Sequence, residues 1–158
     1  MAEEKTNVMR LLDQRKIPYT PRRYDVSDGA LDGVTAAERL GVAPEACFKT
    51  LVTQGASGGY YVFVIPVERS LDLKAAARAA GEKSVEMLKQ ARLLPLTGYV
   101  HGGCSPVGMK KRFPTVIDAS AEALAEMTVS AGKIGRQVTL SPRDLAGFIG
   151  AVFAPVSQ

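Results

Sequence analysis

CFKTLVTQGASGGYYVFVIPV, residues 47–67, holds two runs of β-branched and aromatic residues separated by the small-residue loop GASGG. This pattern predicts an antiparallel hairpin with strands over 47–53 and 60–66. Alternation places Lys49 on one face with Leu51 and Thr53, and puts Phe48, Thr50 and Val52 on the other. A lysine inside such a strand calls for an explanation. It is either an edge-strand gatekeeper that discourages sheet-to-sheet pairing, or a positioned ammonium that meets phosphate, hydroxyl or developing negative charge.

Upstream of the hairpin, Thr6 precedes Val8, Met9, Leu11 and Leu12 at helical spacing, and Pro18 stops the pattern. Residues 19–26, with Tyr24, read as an irregular or edge strand because Pro21 has no amide to give a ladder. Thr35 and Glu38 form a capping box for a short helix ended by Gly41, and Pro44 opens one more turn. Downstream, Ser70 is expected to cap an alanine-rich helix that Gly81 ends, with a short element over 85–93 and a β region around 98–100. The stretch TVID at 115–118 reads as a strand, and Ser120 as the cap of a helix containing Leu124 and Met127. Strands at 128–130 and 137–140 flank the loop AGKIG, and Ser141, Pro142 and Asp144 announce a final helix. Strands and helices alternate without a regular βαβ rhythm, which predicts a single domain over 1–158 of α/β class, α+β in type, with a mixed sheet wrapped by helices.

Composition narrows the function. The chain has 158 residues, 46% hydrophobic and 23% charged, and a net charge of +4; these values suit one folded domain and exclude wholesale disorder or a histone-like polycation. Two cysteines, Cys47 and Cys104, and one histidine are too few for a disulfide scaffold or a multi-ligand Cys/His zinc site. The N-terminus is too charged for a signal peptide, and the longest apolar run, residues 60–67, is far below the roughly 20 that span a bilayer, so a cytoplasmic protein is expected.

Two glycine-bearing segments carry candidate chemistry. YVHGGCSPVGMKKR, residues 99–112, sets small residues before Lys110, Lys111 and Arg112, a pattern equally suited to an anion or oxyanion cradle and to a solvated turn. It is not a P-loop, because Met109 stands where lysine belongs. SAGKIG, residues 130–135, repeats the theme weakly. Cys104 would be a nucleophile only with a depressed pKa, and Cys47 reads as a small buried hydrophobe. Tyr24 and Tyr99 are suited either to stacking on a base or to burial with a satisfied hydroxyl.

Taken together, FKTL around Lys49, PVERSLDLKAAARAAG, TGYVHGGCSPVGMKKRFPTVID and SAGKIG resemble the YbaK family of aminoacyl-tRNA deacylases, whose relatives include the editing domain of bacterial prolyl-tRNA synthetases. The resemblance runs roughly from Val8 to Ile149. It implies a mixed, partly barrel-like sheet flanked by helices. It also implies that Lys49 is the essential lysine, with Thr50 beside it, and that Gly102, Gly103, Cys104, Ser105 and Pro106 form a loop orienting the ester and the terminal adenosine. Ser130, Gly132 and Lys133 fall on a segment near the same pocket, and Tyr24 on a tyrosine of the early strand. Ala131, Ile134 and Gln137 depart from the family's glycine, arginine and aspartate, and Leu31 or Asp32 stands where an aromatic is frequent. These departures bear on amino-acid specificity.

The implied function is trans-editing of mischarged tRNA, Cys-tRNA(Pro) foremost, with no metal and no cofactor. Without a Ser/His/Asp set, the substrate's own thiol would attack its carbonyl while Lys49 and the loop position the ester. An alanyl ester of the same tRNA would need water instead, and a noncatalytic tRNA- or synthetase-binding module is the reading from another class. Such sieves exist because a synthetase pocket separates near-isosteric amino acids by only about 1–3 kcal/mol. The implied partners are the aminoacyl-tRNA acceptor end, with Lys110, Lys111 and Arg112 as phosphate contacts, and prolyl-tRNA synthetase, because +4 argues against tight unaided tRNA binding.

Overall fold

Thr6 caps the first helix by accepting the Met9 amide at 3.3 Å, and Val8, Met9 and Leu12 form the buried face of that helix. The computed structural model of the protein describes residues 4–25 and 32–158. In chain order its elements are α1 (Asn7–Gln14), β1 (Thr20–Arg23), α2 (Gly33–Leu40), β2 (Phe48–Gly55), β3 (Tyr60–Pro66), α3 (Leu73–Ala80) and β4 (Val85–Met87). There follow α4 (Gln90–Thr97), β5 (Thr115–Asp118), β6 (Met127–Lys133), β7 (Arg136–Leu140), α5 (Pro142–Ile149) and β8 (Val152–Ala154), with single 3-10 turns at Pro44–Ala46 and Ala119–Ala123.

The strands form two sheets. β1, β7 and β6 make an antiparallel sheet in that order; β4, β2, β3, β5 and β8 make a mixed one, with β3, β5 and β8 parallel. They meet where Cys47 bridges Thr128 in parallel fashion. The α+β class holds, and the partly barrel-like arrangement consists of two abutting sheets that do not close. Between them lies the main core, where Phe48, Val64 and Ile117 of the large sheet pack with α1, with Met127, Val129 and Val138 of the small sheet, and with Leu145 of α5. The other face of the large sheet buries Phe63 and Ile65 against Ala76 and Ala77 of α3. Each large apolar side chain so buried contributes roughly 1.5–3 kcal/mol.

Several local expectations are corrected. The caps of α2 and α3 are Asp32 and Asp72, whose carboxylates accept the Thr35 and Ala75 amides at 2.8 and 3.1 Å; Thr35 and Ser70 yield to the stronger acceptor nearby. No strand forms at 98–100. Helix α4 runs through Pro95 to Thr97, and Gly98 ends it in the left-handed region at φ 87°. The helix expected after Ser120 is a single 3-10 turn, since Asp118 accepts the Ser120 amide and Met127 is drawn into β6. Asp118, 3% exposed, also accepts the amides of Val156 and Ser157 at 2.9 and 3.1 Å, which ties the chain end to β5. Val26 and Leu31, which end the early strand and fall at the aromatic position, lie outside the described residues.

Candidate active site

β2 pairs with β3 from Phe48 to Gln54, but β4 reaches it only at Thr53–Gly55. The first half of β2 therefore keeps one side unpaired, facing the small sheet. A cleft of ≈ 240 Å³ occupies this joint, and Lys49 and Thr50 from β2, Ser130 and Gln137 from the small sheet, Tyr24, and Gly102 and Cys104 from the glycine loop all line it. Gatekeeping does not account for a lysine in this position, because the flank it would guard is the cleft.

Lys49 is half-buried and its side chain makes no hydrogen bond or ion pair among the described residues. Burial alone lowers its pKa from the ordinary lysine value. Asp32 is the one carboxylate among the described residues lining the cleft. Its two oxygens accept from the Thr35 amide and hydroxyl, at 2.8 and 2.7 Å, and these bonds hold its pKa below the usual carboxylate value. Among the described residues the ammonium thus stands in a partly desolvated cleft without a paired carboxylate, a poor arrangement for stability and a good one for meeting an oxyanion or an ester oxygen.

The opposite wall follows from strand register. Ser130 of β6 sits across from Gln137 of β7, and the amide of Tyr24, just past β1, donates to the Gly135 carbonyl at 3.0 Å. Burial raises the Tyr24 pKa, against the side chain of Gln137, which lowers it. Among the described residues, two buried polar atoms of the cleft have no hydrogen-bond partner: Oγ1 of Thr50 and Oε1 of Gln137. Buried polar groups are normally paired, so these two atoms stand out beside Lys49.

Of the residues singled out from sequence, Lys49, Tyr24, Thr50, Gly102, Cys104 and Ser130 come together in the cleft, while Gly103, Ser105, Pro106, Gly132 and Lys133 do not line it. Gly103 supports the loop from behind, since a β-carbon there would lie 3.0 Å from the backbone nitrogen of Ile134. Ser105 is fully buried, its hydroxyl accepting the Val107 amide at 3.2 Å. Pro106 faces a second cleft on the far side of the loop. Gly132 lies under the Tyr99 ring, 3.0 Å from a would-be β-carbon, and Lys133 is exposed. Tyr99 is itself packing: its hydroxyl donates to the Val107 carbonyl and burial pushes its pKa to about 12.

Neither thiol is an ionised nucleophile at neutral pH. Burial pushes Cys104 up to about 12 and Cys47 to about 11. The histidine, His101, lines the cleft at its exposed rim with Leu93, without a hydrogen bond to serine or carboxylate among the described residues. Sequence reading missed the placement of His101, Asp32 and Gln137. In sequence Gln137 shows only as a departure, and its orphaned oxygen shows only once β6 stands opposite. No group of three or more His, Cys, Asp or Glu side chains among the described residues is gathered to hold a metal ion.

The chain belongs to the aminoacyl-tRNA editing domain family, whose model matches residues 30–148. A relative from Enterococcus faecalis (strain ATCC 700802 / V583), named "Putative Cys-tRNA(Pro)/Cys-tRNA(Cys) deacylase EbsC", is 43% identical over 155 residues, covering 98% of this chain and 94% of its own. Among solved structures, "hypothetical protein APE2540" superposes with a TM-score of 0.87 at 27% identity, over 96% of this chain and 99% of its own. A structure described as "a putative trans-editing enzyme for prolyl tRNA synthetase" shares the fold with a TM-score of 0.81 at 23% identity, over 98% of this chain and 99% of its own. Among the described residues no helix is long and apolar enough to cross a membrane.

Proposed function

We propose that the protein deacylates mischarged tRNA in trans, with Cys-tRNA(Pro) as its leading substrate. The observation that carries this reading is the Lys49 ammonium, without an ion pair among the described residues, in a cleft whose cysteine thiols are held protonated. The 43% identical relative, named for cysteinyl-tRNA deacylation, supports the choice of acyl group and adds Cys-tRNA(Cys) to the substrates to be tested.

The chemistry follows from what the cleft supplies. The substrate's thiol loses its proton to solvent, and the thiolate attacks its own ester carbonyl. A sulfur–carbon bond forms as the bond to the terminal ribose oxygen breaks, that oxygen takes up a proton, and the products are a cyclic thiolactone and free tRNA. Lys49 faces the oxygen that becomes negative, and the backbone at Gly102 holds the acyl group against it. The Thr50 hydroxyl and the Gln137 amide oxygen take the remaining polar groups of the aminoacyl end. Such orientation lowers the barrier without a protein nucleophile, because attack within one bound molecule has already lost its translational freedom.

A second reading rests on the lowered Lys49 pKa. A lysine closer to its neutral form could take a proton from water and hydrolyse an alanyl ester, which has no thiol. Release of amino acid from cysteinyl and alanyl esters of the proline tRNA, measured side by side, separates the two; cysteinyl preference supports the first reading and alanyl preference overturns it. Prolyl-tRNA synthetase is the proposed partner, since a chain of +4 gains from docking beside the enzyme that holds the tRNA. Co-sedimentation of the two proteins with and without tRNA tests this.

A further inference from the structure

The glycine loop that walls the active cleft has a second side. Gly102 and Cys104 face the Lys49 cleft, whereas Pro106 to Met109, with Lys111, Arg112 and Phe113, line a separate cleft of ≈ 240 Å³ closed by Arg15 and Phe148. Cys104 and Pro106 are two residues apart, so their Cα atoms are separated by at most about 7 Å, and one thin wall divides the two clefts.

Three cations meet there without a counter-charge. The Arg15 guanidinium, at the end of α1, lies over the Phe148 ring at 5.2 Å from its centroid. Arg112 donates to the Phe148 carbonyl at 2.9 Å, which fixes its position while leaving its other N–H groups unused. Lys111 is exposed at the same rim. None of the three forms an ion pair, and no carboxylate lines the cleft among the described residues. By contrast, the surface hollow beside β7 carries Glu126 and Asp144. Arg15 and Arg112 both contact Phe148, so an anion between them would meet two guanidiniums, whose fork shape fits phosphate oxygens.

We infer that this second cleft binds the phosphate backbone of the acceptor arm of the tRNA whose ester occupies the Lys49 cleft. The inference rests on the deacylase reading above and assigns the RNA-binding half of that substrate. The two clefts share this loop, so an acyl-adenosine end in the first leaves the preceding backbone to cross the loop toward the second. Arg15, Lys111 and Arg112 supply affinity without reading bases.

The test uses cysteinylated proline tRNA, the minimal ester cysteinyl-adenosine, and uncharged proline tRNA, with wild type and an Arg15→Ala/Lys111→Ala/Arg112→Ala variant. The variant is expected to raise KM for the tRNA ester and Kd for uncharged tRNA about tenfold or more. The slope of log Kd against log salt should fall by about 2 to 3, and cysteinyl-adenosine cleavage should stay within about twofold. Because Arg112 also holds Phe148, the double Arg15→Gln/Lys111→Gln spares that bond and is expected to lose about half of the logarithmic effect. Unchanged tRNA affinity in both variants, or equal losses on the tRNA ester and cysteinyl-adenosine, overturns the assignment, the former leaving the cations for a protein partner. If wild type cleaves neither ester yet binds tRNA through these cations, the deacylase reading fails and the assignment stands.

Discussion

Gly103 presses on the backbone of Ile134, so that a β-carbon at position 103 would lie 3.0 Å from the Ile134 nitrogen and 3.3 Å from the Lys133 carbonyl carbon. This contact joins the two glycine segments that sequence reading singled out separately. It sets the loop bearing Gly102 and Cys104 against the strand pair bearing Ser130 and Gln137. Gly103→Ala should therefore push the loop off the β6–β7 turn, costing about 1–3 kcal/mol of stability and moving the cleft wall. Thermal unfolding and steady-state deacylation are expected to show a lower Tm and a fall in kcat/KM; an alanine variant unchanged in both would mean that the loop shifts freely.

Cys104 lines the cleft but is not its nucleophile. At 8% exposure and with a pKa near 12, its thiol stays protonated across the neutral range. Cys104→Ser should retain deacylation within a few-fold, and iodoacetamide should label the native protein slowly at pH 8. Loss of activity by two orders of magnitude in the serine variant would return the chemistry to the protein's own sulfur.

At Gln137, whose Oε1 is unpartnered among the described residues, stability and binding should respond differently to substitution. A buried acceptor without a donor costs about 1–3 kcal/mol, and Gln137→Met removes it at similar length. The variant also loses the Gln137 side chain's bond to Tyr24, so it should melt close to wild type while its KM for the tRNA ester rises several-fold with a smaller change in kcat. A lower Tm with unchanged KM would assign Gln137 to the scaffold.

Lys49 and the substrate thiol titrate in opposite senses as far as rate is concerned. The thiol must lose its proton, so cleavage of the cysteinyl ester rises as pH approaches the thiol's ordinary value of about 8.5. The ammonium must keep its proton, and burial has lowered its pKa below 10.5, so the rate falls again on an alkaline limb below that value. Lys49→Arg, which does not titrate in this range, should lose the alkaline limb in whatever activity it retains. An alkaline limb that persists in the arginine variant would belong to another group.

The hairpin and its lysine were legible because every position from Tyr60 to Ile65 favours a strand and the small-residue loop separates two such runs. The edge position of β1 was legible from Pro21, and α5 from Ser141 and Pro142. What stayed hidden has local causes. Pro95 masked the last turn of α4, where Thr97 donates its hydroxyl to the Leu93 carbonyl at 2.8 Å. The three residues of β8 carry no periodic signal and form a strand only because Ile117 lies alongside Phe153 in parallel register. In the site, residue type pointed to Lys49, but Gly132 and Ser105 match the motif for packing reasons, beneath Tyr99 and before Val107. Only the fold separates glycines that approach a ligand from glycines that admit a ring.

The central claim is that Lys49 positions the ester for attack by the substrate's own thiol. Its most direct test is a panel of cysteinyl, alanyl, seryl and prolyl esters on proline tRNA, cleaved by wild type and by Lys49→Ala, with circular dichroism to confirm folding. The account predicts fastest release from the cysteinyl ester, a loss of about 10²–10³-fold in the folded alanine variant, and a thiolactone as first product. Full activity of Lys49→Ala, or equal rates on cysteinyl and alanyl esters, would contradict it.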